Sequence, residues 1–291
     1  MTLIRTGDQG DLVKSWQSFL NQQGFDCGVA DGIFGANTAN ATKAFQSAHG
    51  LSADGIAGPN TISVAKDLGF SLPVSGFPPA GNINVVVDIS HHQASADFQA
   101  VKGDGILGVI SKATQGTTYT DPTYAERRVE AKAQGLLWGA YHFGTGQDVD
   151  AQVSHFLATA APDDQTLLVL DWENNPVTSQ GTMPLEQARA FLSAVKEQLG
   201  QFPVLYCGIL AKEQIPPAGD EILNQCPLWI AQYTQNVSLP HGWSSYTMWQ
   251  YTDGTHGNSP HSVNGIGNCD RDVFAGSVED LHSMWRSKPI K

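Results

Sequence analysis

Hydrophobic positions follow two different spacings in the two parts of the chain. Within the first seventy residues, Leu12, Trp16, Phe19 and Leu20 recur at helical spacing, and Gly24 follows them as a residue typical of helix ends. Beyond residue 83, short continuous apolar runs alternate with amphipathic or polar stretches, and these runs are NVVVDIS, GILGVISKA, LLWGAYHF, TLLVLDWE, PVLYCG, PLWIAQY and YTMWQY. Such runs are typical of parallel strands that are buried on both faces.

The order of these patterns predicts the fold class. We expect an α/β protein in which a TIM-like (β/α) barrel is preceded by a small three-helix domain. Polar residues follow several of the apolar runs, and in barrels of this type the chemistry collects at the carboxyl ends of the strands. The sequence therefore places the candidate site at that end of the barrel.

An internal repeat supports the helical domain. The segment DGIFGANTANATKAFQ at 31–46 is echoed by DGIAGPNTISVAK at 54–66. Each copy predicts a turn followed by a helix, because Gly32 and Gly55 provide backbone freedom directly ahead of the helical pattern. Together with the helix before them, the two copies predict three short helices.

A segment without charged residues separates the two parts of the chain. Residues 70–83 contain three prolines, which is typical of an extended linker. The predicted boundaries are therefore 1–69 for the helical domain, 70–83 for the linker and 84–291 for the barrel domain.

The charge balance narrows the range of partners. The 291 residues include 16 Lys and Arg against 28 Asp and Glu, which gives a net charge of -12. Because no segment concentrates enough basic residues to neutralise a phosphate backbone, nucleic acid is not expected as a partner. A neutral or mixed-charge polymer fits this balance better, and nothing in the sequence indicates more than a monomer.

Targeting signals are not evident in the sequence. The opening MTLIRTGDQGDL lacks the basic and apolar regions of a secretory signal, and no apolar stretch approaches the ~18 residues that span a bilayer. We therefore expect synthesis in the cytoplasm, no membrane insertion, and, for action on a cell wall, holin-type release or export by a dedicated machine. Release as a lysin is the favoured hypothesis.

The cysteines and histidines do not predict a metal centre or a cofactor. Cys27, Cys207, Cys226 and Cys269 are widely spaced and form no CxxC pair, so we expect reduced, structural thiols. The adjacent histidines at positions 91 and 92 would face opposite sides of a strand, which disfavours a shared zinc ion.

The most informative run is TLLVLDWENN at 166–175. Alternation along a strand turns Asp171 and Glu173 to one face and Trp172 to the other. Two neighbouring carboxyl groups raise the pKa of at least one of them. Glycoside cleavage needs one protonated and one ionised carboxyl group, whereas the motif alone also permits a divalent-metal site.

Further polar and aromatic residues lie at the other predicted strand ends. Aromatic faces beside amides and acids are typical of a carbohydrate-binding surface, although tyrosines and tryptophans at these positions also suit a barrel core. Lys112 is predicted to be a pocket charge that orients a carboxylate or contacts substrate. The candidate residues are Asp88, Lys112, Tyr141, Tyr206, Trp229, Gln232, Gln250 and Asp270.

Two resemblances make the interpretation specific. GDQGDLVKSWQSFL and DGIFGANTANATKAFQ resemble the peptidoglycan-binding domain that accompanies many wall hydrolases. Residues 84–276 resemble glycoside hydrolase family 25, the lysozyme family with N-acetylmuramidase activity, through VVDISHHQ, ISKATQG, GAYHF, LDWEN, LYCG, LWIAQY, MWQYTDG and CDRDVF in that order.

The second resemblance implies roles for individual residues. Glu173 would be the general acid, Asp171 its partner, and Asp88 and Asp270 further carboxylates of the same pocket. One position departs from the family pattern, because Asp272 stands where the family commonly has Asn. The substrate implied is bacterial peptidoglycan, cleaved at the β-1,4 bond between N-acetylmuramic acid and N-acetylglucosamine without a cofactor.

The stereochemical course stays open at this point. Residues two apart on a strand have Cα atoms about 6.5–7 Å apart, which lies between the carboxyl spacings of retaining and inverting enzymes. Retention through attack by the substrate's own 2-acetamido oxygen, assisted by Asp171, is the preferred hypothesis. The alternatives are N-acetylglucosaminidase specificity and a wall-binding protein that is catalytically silent.

Overall fold

The structure, a computed structural model, describes residues 3–70, 77–234 and 236–286. Its first part contains three helices, as the apolar spacing and the repeat together predict: α1 (Asp11–Gln22), α2 (Ala36–Ala48) and α3 (Pro59–Asp67). They enclose a core of aromatic side chains, in which the Trp16 ring meets Phe45 edge to face at 5.7 Å between centroids. This contact joins α1 to α2.

Two buried glutamines hold the repeated Asp-Gly turns. The amide of Gln17 donates to Asp31 Oδ1 at 2.9 Å and accepts from the Gly32 N–H at 2.8 Å. The amide of Gln46 makes the same pair of bonds one repeat later, to Asp54 Oδ1 at 2.8 Å and from Gly55 N–H at 2.9 Å. The Asp-Gly motifs therefore have a structural role in the helical domain.

The second part contains the strands. They are β1 (Asn82–Ile89), β2 (Gly108–Gln115), β3 (Tyr119–Thr120), β4 (Leu137–Phe143), β5 (Thr166–Trp172), β6 (Val204–Cys207), β7 (Leu228–Ala231), β8 (Met248–Thr252), β9 (Ser262–Val263), β10 (Gly267–Asn268) and β11 (Asp270–Ala275). The helices between and after them are α4 (Phe98–Gly103), α5 (Tyr124–Ala133), α6 (Val149–Ala160), α7 (Leu185–Leu199), α8 (Ile209–Gln214) and α9 (Val278–Trp285), and a short 3-10 turn covers Leu223–Gln225.

Eight of these strands close a barrel. The order is β1, β11, β8, β7, β6, β5, β4, β2, and the parallel pairing of β2 with β1 completes the ring. The predicted TIM-like barrel is confirmed, with one difference. Strand β11 runs antiparallel to both β1 and β8, because the chain turns back after β8 through a loop and the small β9–β10 hairpin without a helical crossover.

Alternation along β5 divides its side chains between the two layers of the barrel. Leu167 and Val169 lie in the apolar cluster inside the barrel, whereas Leu168, Leu170 and Trp172 lie in the cluster between the strands and the surrounding helices. A residue at position 171 or 173 therefore continues the inner row. The indole of Trp172 is fully buried on the outer side and donates to the Met183 carbonyl at 2.8 Å.

Residues 71–76 of the predicted linker lie outside the described residues. On one side of them, Phe70 packs into the core of the helical domain. On the other side, the Phe77 ring lies 4.6 Å from that of Tyr251 on β8. Within the three described ranges, no helix combines the length and the apolar character needed to cross a bilayer.

Candidate active site

A cavity of about 190 Å³ opens where the parallel barrel strands have their carboxyl ends and the antiparallel β11 has its amino end. Seven barrel strands each place at least one side chain here, on the strand itself or within two residues after it, so that residues distant in sequence meet in one place. The lining residues are Asp88, Tyr141, Asp171, Glu173, Tyr206, Trp229, Tyr233, Gln250 and Asp270. All four predicted carboxylates are among them.

Asp171 and Glu173 both face this cavity, as the alternation along β5 predicts. Asp171 is the penultimate residue of β5 and is 7% exposed, and Glu173 follows the strand directly. The Oδ1 atom of Asp171 is buried and has no hydrogen-bond partner among the described residues. An oxygen in that state is available to a ligand that brings its own donor.

The surroundings of this pair favour protonation. Burial raises the pKa of Asp171 well above its ordinary value, and the nearby Glu173 carboxylate raises it further. Burial also raises the pKa of Glu173, while the positive charge of Lys112 opposes both shifts. Among the ion pairs formed by the described residues, none includes Asp171 or Glu173. The charge of Lys112 therefore acts on these two carboxyl groups without forming an ion pair with either of them.

Lys112 lies in a neighbouring groove. Its ammonium group donates to Gln115 Oε1 at 2.8 Å and sits 4.9 Å from the centre of the Phe143 ring. This groove, of about 500 Å³, shares Tyr141, Asp171 and Glu173 with the first cavity. The carboxyl pair therefore lies where two cavities meet, an arrangement that suits a bond between two substrate units.

A second pair of carboxyl groups lies across the cavity. Asp88 on β1 and Asp270 on β11 are register partners, and Gln250 Nε2 donates to Asp88 Oδ2 at 2.7 Å. Burial, followed by the charges of Asp253 and Glu173, raises the pKa of Asp270 to about 7. Burial and the charge of Asp270 also raise the pKa of Asp88.

Aromatic residues complete the wall and also pack the barrel interior. The hydroxyl groups of Tyr206 and Tyr233 donate to Gln250 Oε1 at 2.8 Å and 2.7 Å. The Tyr206 ring meets that of Trp229 edge to face, with 4.8 Å between centroids. The sequence left open whether Tyr206 and Trp229 belong to the barrel core or to the binding surface. Both residues combine the two roles, because they line the cavity and are also buried in the apolar cluster inside the barrel.

The structure does not bring Gln232 to the cavity. Its amide is occupied in the loop after β7, where it donates to Thr234 Oγ1 at 2.8 Å and accepts from Ser238 N–H at 3.1 Å. The neighbouring Tyr233 takes the place beside Gln250. Sequence reasoning did not select Tyr233, although its position directly after a strand in an aromatic-rich run was a usable signal.

The adjacent histidines are arranged side by side. Their ring centroids are 4.1 Å apart, and His91 Nδ1 contacts Asp121 Oδ2 at 2.8 Å. Among the described residues, no group of three or more His, Cys, Asp or Glu side chains has the geometry to hold a metal ion. Both histidines line the groove that contains Lys112.

The raised pKa of Asp270 predicts a pH-dependent stability difference. Because the folded state binds this proton more tightly than the unfolded state, the stability contributed by protonation is present below about pH 4 and is lost as pH rises to about 7. Asp270→Asn cannot ionise, so its free energy of unfolding relative to the parent should increase over that interval. Urea denaturation of the parent and the variant at several pH values measures this difference in free energy of unfolding. A difference that does not change with pH would contradict the raised pKa of Asp270.

Comparisons with known proteins agree with this geometry. The sequence profile of Glycosyl hydrolases family 25 matches residues 87–259, and that of a peptidoglycan binding domain matches residues 9–64. The autolytic lysozyme of Clostridium acetobutylicum is 32% identical over 195 residues, which cover 66% of this chain and 56% of that protein. The match therefore spans little more than half of that relative's length.

Two further relatives resemble the barrel domain. Lysozyme M1 of Streptomyces globisporus is 27% identical over 211 residues, covering 68% of this chain and 70% of that protein. The crystal structure of the bacterial lysozyme from Streptomyces coelicolor superposes with a TM-score of 0.62 and 26% identity, covering 70% of this chain and 98% of that one. The family profile covers more than half of the 291 residues, and the chain belongs to glycosyl hydrolases family 25.

Proposed function

We propose that this glycosidase is an N-acetylmuramidase that cleaves the β-1,4 bond between N-acetylmuramic acid and N-acetylglucosamine in bacterial peptidoglycan. The observation that carries the proposal is the carboxyl pair Asp171 and Glu173, buried at the junction of two cavities with raised pKa values. The lysozyme relatives and the N-terminal match to a peptidoglycan binding domain support the choice of polymer.

Glu173 is assigned the role of general acid. Its raised pKa keeps a proton on the carboxyl group at a pH where an exposed glutamate would have lost it. Transfer of that proton to the glycosidic oxygen lets the leaving sugar depart as an alcohol, while positive charge develops at the anomeric carbon. The resulting Glu173 carboxylate can then remove a proton from the attacking water.

Asp171 is assigned to the substrate's 2-acetamido group. Its unpartnered Oδ1 can accept the acetamido N–H, which orients the acetamido oxygen toward the anomeric carbon. Attack by that oxygen forms a cyclic intermediate, and water opens it from the opposite face. Two inversions at one carbon give net retention, so the product first formed has the β configuration.

The remaining cavity residues are assigned to substrate binding. Tyr141, Tyr206 and Trp229 line the cavity with aromatic surface that suits a sugar. Gln250 Oε1 accepts from the hydroxyl groups of Tyr206 and Tyr233 and fixes both rings in the cavity wall. Lys112 lines the adjoining groove, where its positive charge suits an acidic substituent. We propose no substrate contact for Gln232, whose amide is already engaged within its loop.

The helical domain is assigned to holding the enzyme on its polymer. Attachment through a second site raises the local concentration of substrate at the first. The site of action is therefore the cell wall, and release through holin-type membrane holes remains a prediction from the sequence. A monomer is expected, since each chain contains the complete carboxyl set.

Glu173→Gln should reduce lysis of purified cell walls by at least about a hundredfold, because a positioned general acid contributes that much or more. Binding of the variant to the same walls, measured by sedimentation, should equal that of the parent. Glu186→Gln, an exposed change at the start of α7, is the matched control and should retain full activity.

Unchanged lysis by Glu173→Gln would refute the assignment of the acid. Wall binding by the parent protein without any lysis would instead support the alternative of a catalytically silent binding protein.

Products of a short digest should carry muramic acid at the reducing end in the β configuration. Proton NMR during the first minutes of reaction identifies the anomer, and borohydride reduction followed by hydrolysis identifies the reduced sugar. Initial α product would refute retention. Reduced glucosamine would show that the enzyme is an N-acetylglucosaminidase.

A further inference from the structure

Asp272 is a buried carboxyl group on the inner face of β11, one inward-facing position deeper in the barrel than Asp270. It is two residues along β11 from Asp270, is 0% exposed, and is not among the residues that line the cavity. Its Oδ1 accepts a hydrogen bond from the Trp229 indole at 2.8 Å. Its Oδ2 is buried and has no donor among the described residues. An ionised carboxylate in such a position loses more solvation than one hydrogen bond restores.

Besides Trp229, Asp272 faces another acid. The ladder between β1 and β11 pairs Asp88 with Asp270 and sets Asp272 two residues further along β11, and the Asp88 carboxyl group lies within hydrogen-bonding range of both. Two ionised carboxylates repel at this range, whereas a carboxylic acid beside a carboxylate forms a strong hydrogen bond. The contact therefore requires a proton on one of the two groups.

The groups around the contact locate that proton on Asp272. Asp88 already accepts from Gln250 on β8, a bond that stabilises a carboxylate, and it retains 6% exposure. Asp270 adds a further acidic group on β11, which disfavours a second negative charge at Asp272. Trp229 on β7 offers only its N–H, which the carbonyl oxygen of a neutral acid also accepts.

The nearest basic residue does not neutralise Asp272. Arg271 precedes it on β11, and alternation turns the two side chains to opposite faces. The Arg271 guanidinium donates to the Ser262 carbonyl at 2.6 Å and to Asn84 Oδ1 at 3.3 Å. Its charge acts on Asp272 only at a distance.

We propose that Asp272 is a positioning residue that stays protonated in the working enzyme and donates a hydrogen bond to Asp88, fixing that carboxylate in the catalytic cavity. Two series of hydrogen bonds then end at Asp88. In the first, Trp229 donates to Asp272 and Asp272 donates to Asp88. In the second, Tyr206 and Tyr233 donate to Gln250, whose amide donates to Asp88. The catalytic consequence rests on the proposed muramidase function, whereas the protonation state does not.

Asp272→Asn tests the neutral state. The amide keeps the size of the acid, accepts from Trp229 and donates to Asp88, so kcat/KM on soluble peptidoglycan fragments should stay within about threefold of the parent and the pH-rate profile should not move. If Asp272 were ionised, removal of its charge would lower the pKa values of the neighbouring carboxyl groups and shift the profile to lower pH. Such a shift, or a loss of activity in Asp272→Asn, would overturn the proposal.

Asp272→Leu tests the hydrogen bond. Without the donor, the Asp88 carboxylate is less stable, so the acidic limb of the profile should move to higher pH and kcat should fall at least about tenfold with little change in KM. A purely structural role would lower the folded fraction without moving the profile, so an unmoved profile would count against positioning. Asp164→Asn, an exposed change, is the control and should match the parent.

Infrared spectroscopy detects the protonation state of Asp272 without requiring catalytic turnover. The difference spectrum between the parent and Asp272→Asn at neutral pH should show loss of a protonated carboxylic acid C=O band. Loss of ionised carboxylate bands would overturn the proposal. An inactive parent would refute the muramidase function and leave this spectroscopic result decisive for Asp272.

Discussion

Repulsion among buried carboxyl groups is the constraint on which the active site depends. Asp171, Glu173, Asp88 and Asp270 face one cavity, and the ion pairs of the described residues include none of them. Solvent would separate these side chains if they were on mobile loops. The closed strand ladder prevents this, because each acid is fixed by the register of its own strand or by the residue directly before it.

The antiparallel strand β11 is essential to this arrangement. By pairing with β1, it sets Asp270 directly opposite Asp88, and the same strand carries Asp272 at the next inward-facing position, deeper in the barrel. Protonation of some members of the cluster accommodates the resulting charge density, since burial raises the pKa values of these carboxyl groups. The same effect supplies the proton that glycoside cleavage requires.

The sequence predicted features that depend on local pattern. Alternation along β5 was sufficient to place Asp171 and Glu173 on the inner face and Trp172 on the outer. The repeat, together with the helical spacing of apolar residues ahead of it, was sufficient to predict the three helices. Features that depend on chain reversal or competing hydrogen bonds were not predicted. The reversal before β11 has no local signature, and the loop bonds that withdraw Gln232 and bring Tyr233 to Gln250 arise only in the folded chain.

The central claim is that burial keeps a proton on Glu173 even though the positive charge of Lys112 opposes this. Carbon-13 NMR titration of the glutamate side-chain carboxyl groups, with the Glu173 resonance assigned by its absence in Glu173→Gln, tests this claim most directly. We predict a pKa for Glu173 above its ordinary value of 4.5. A pKa at or below that value would contradict the account, because Glu173 would then be ionised before substrate arrives.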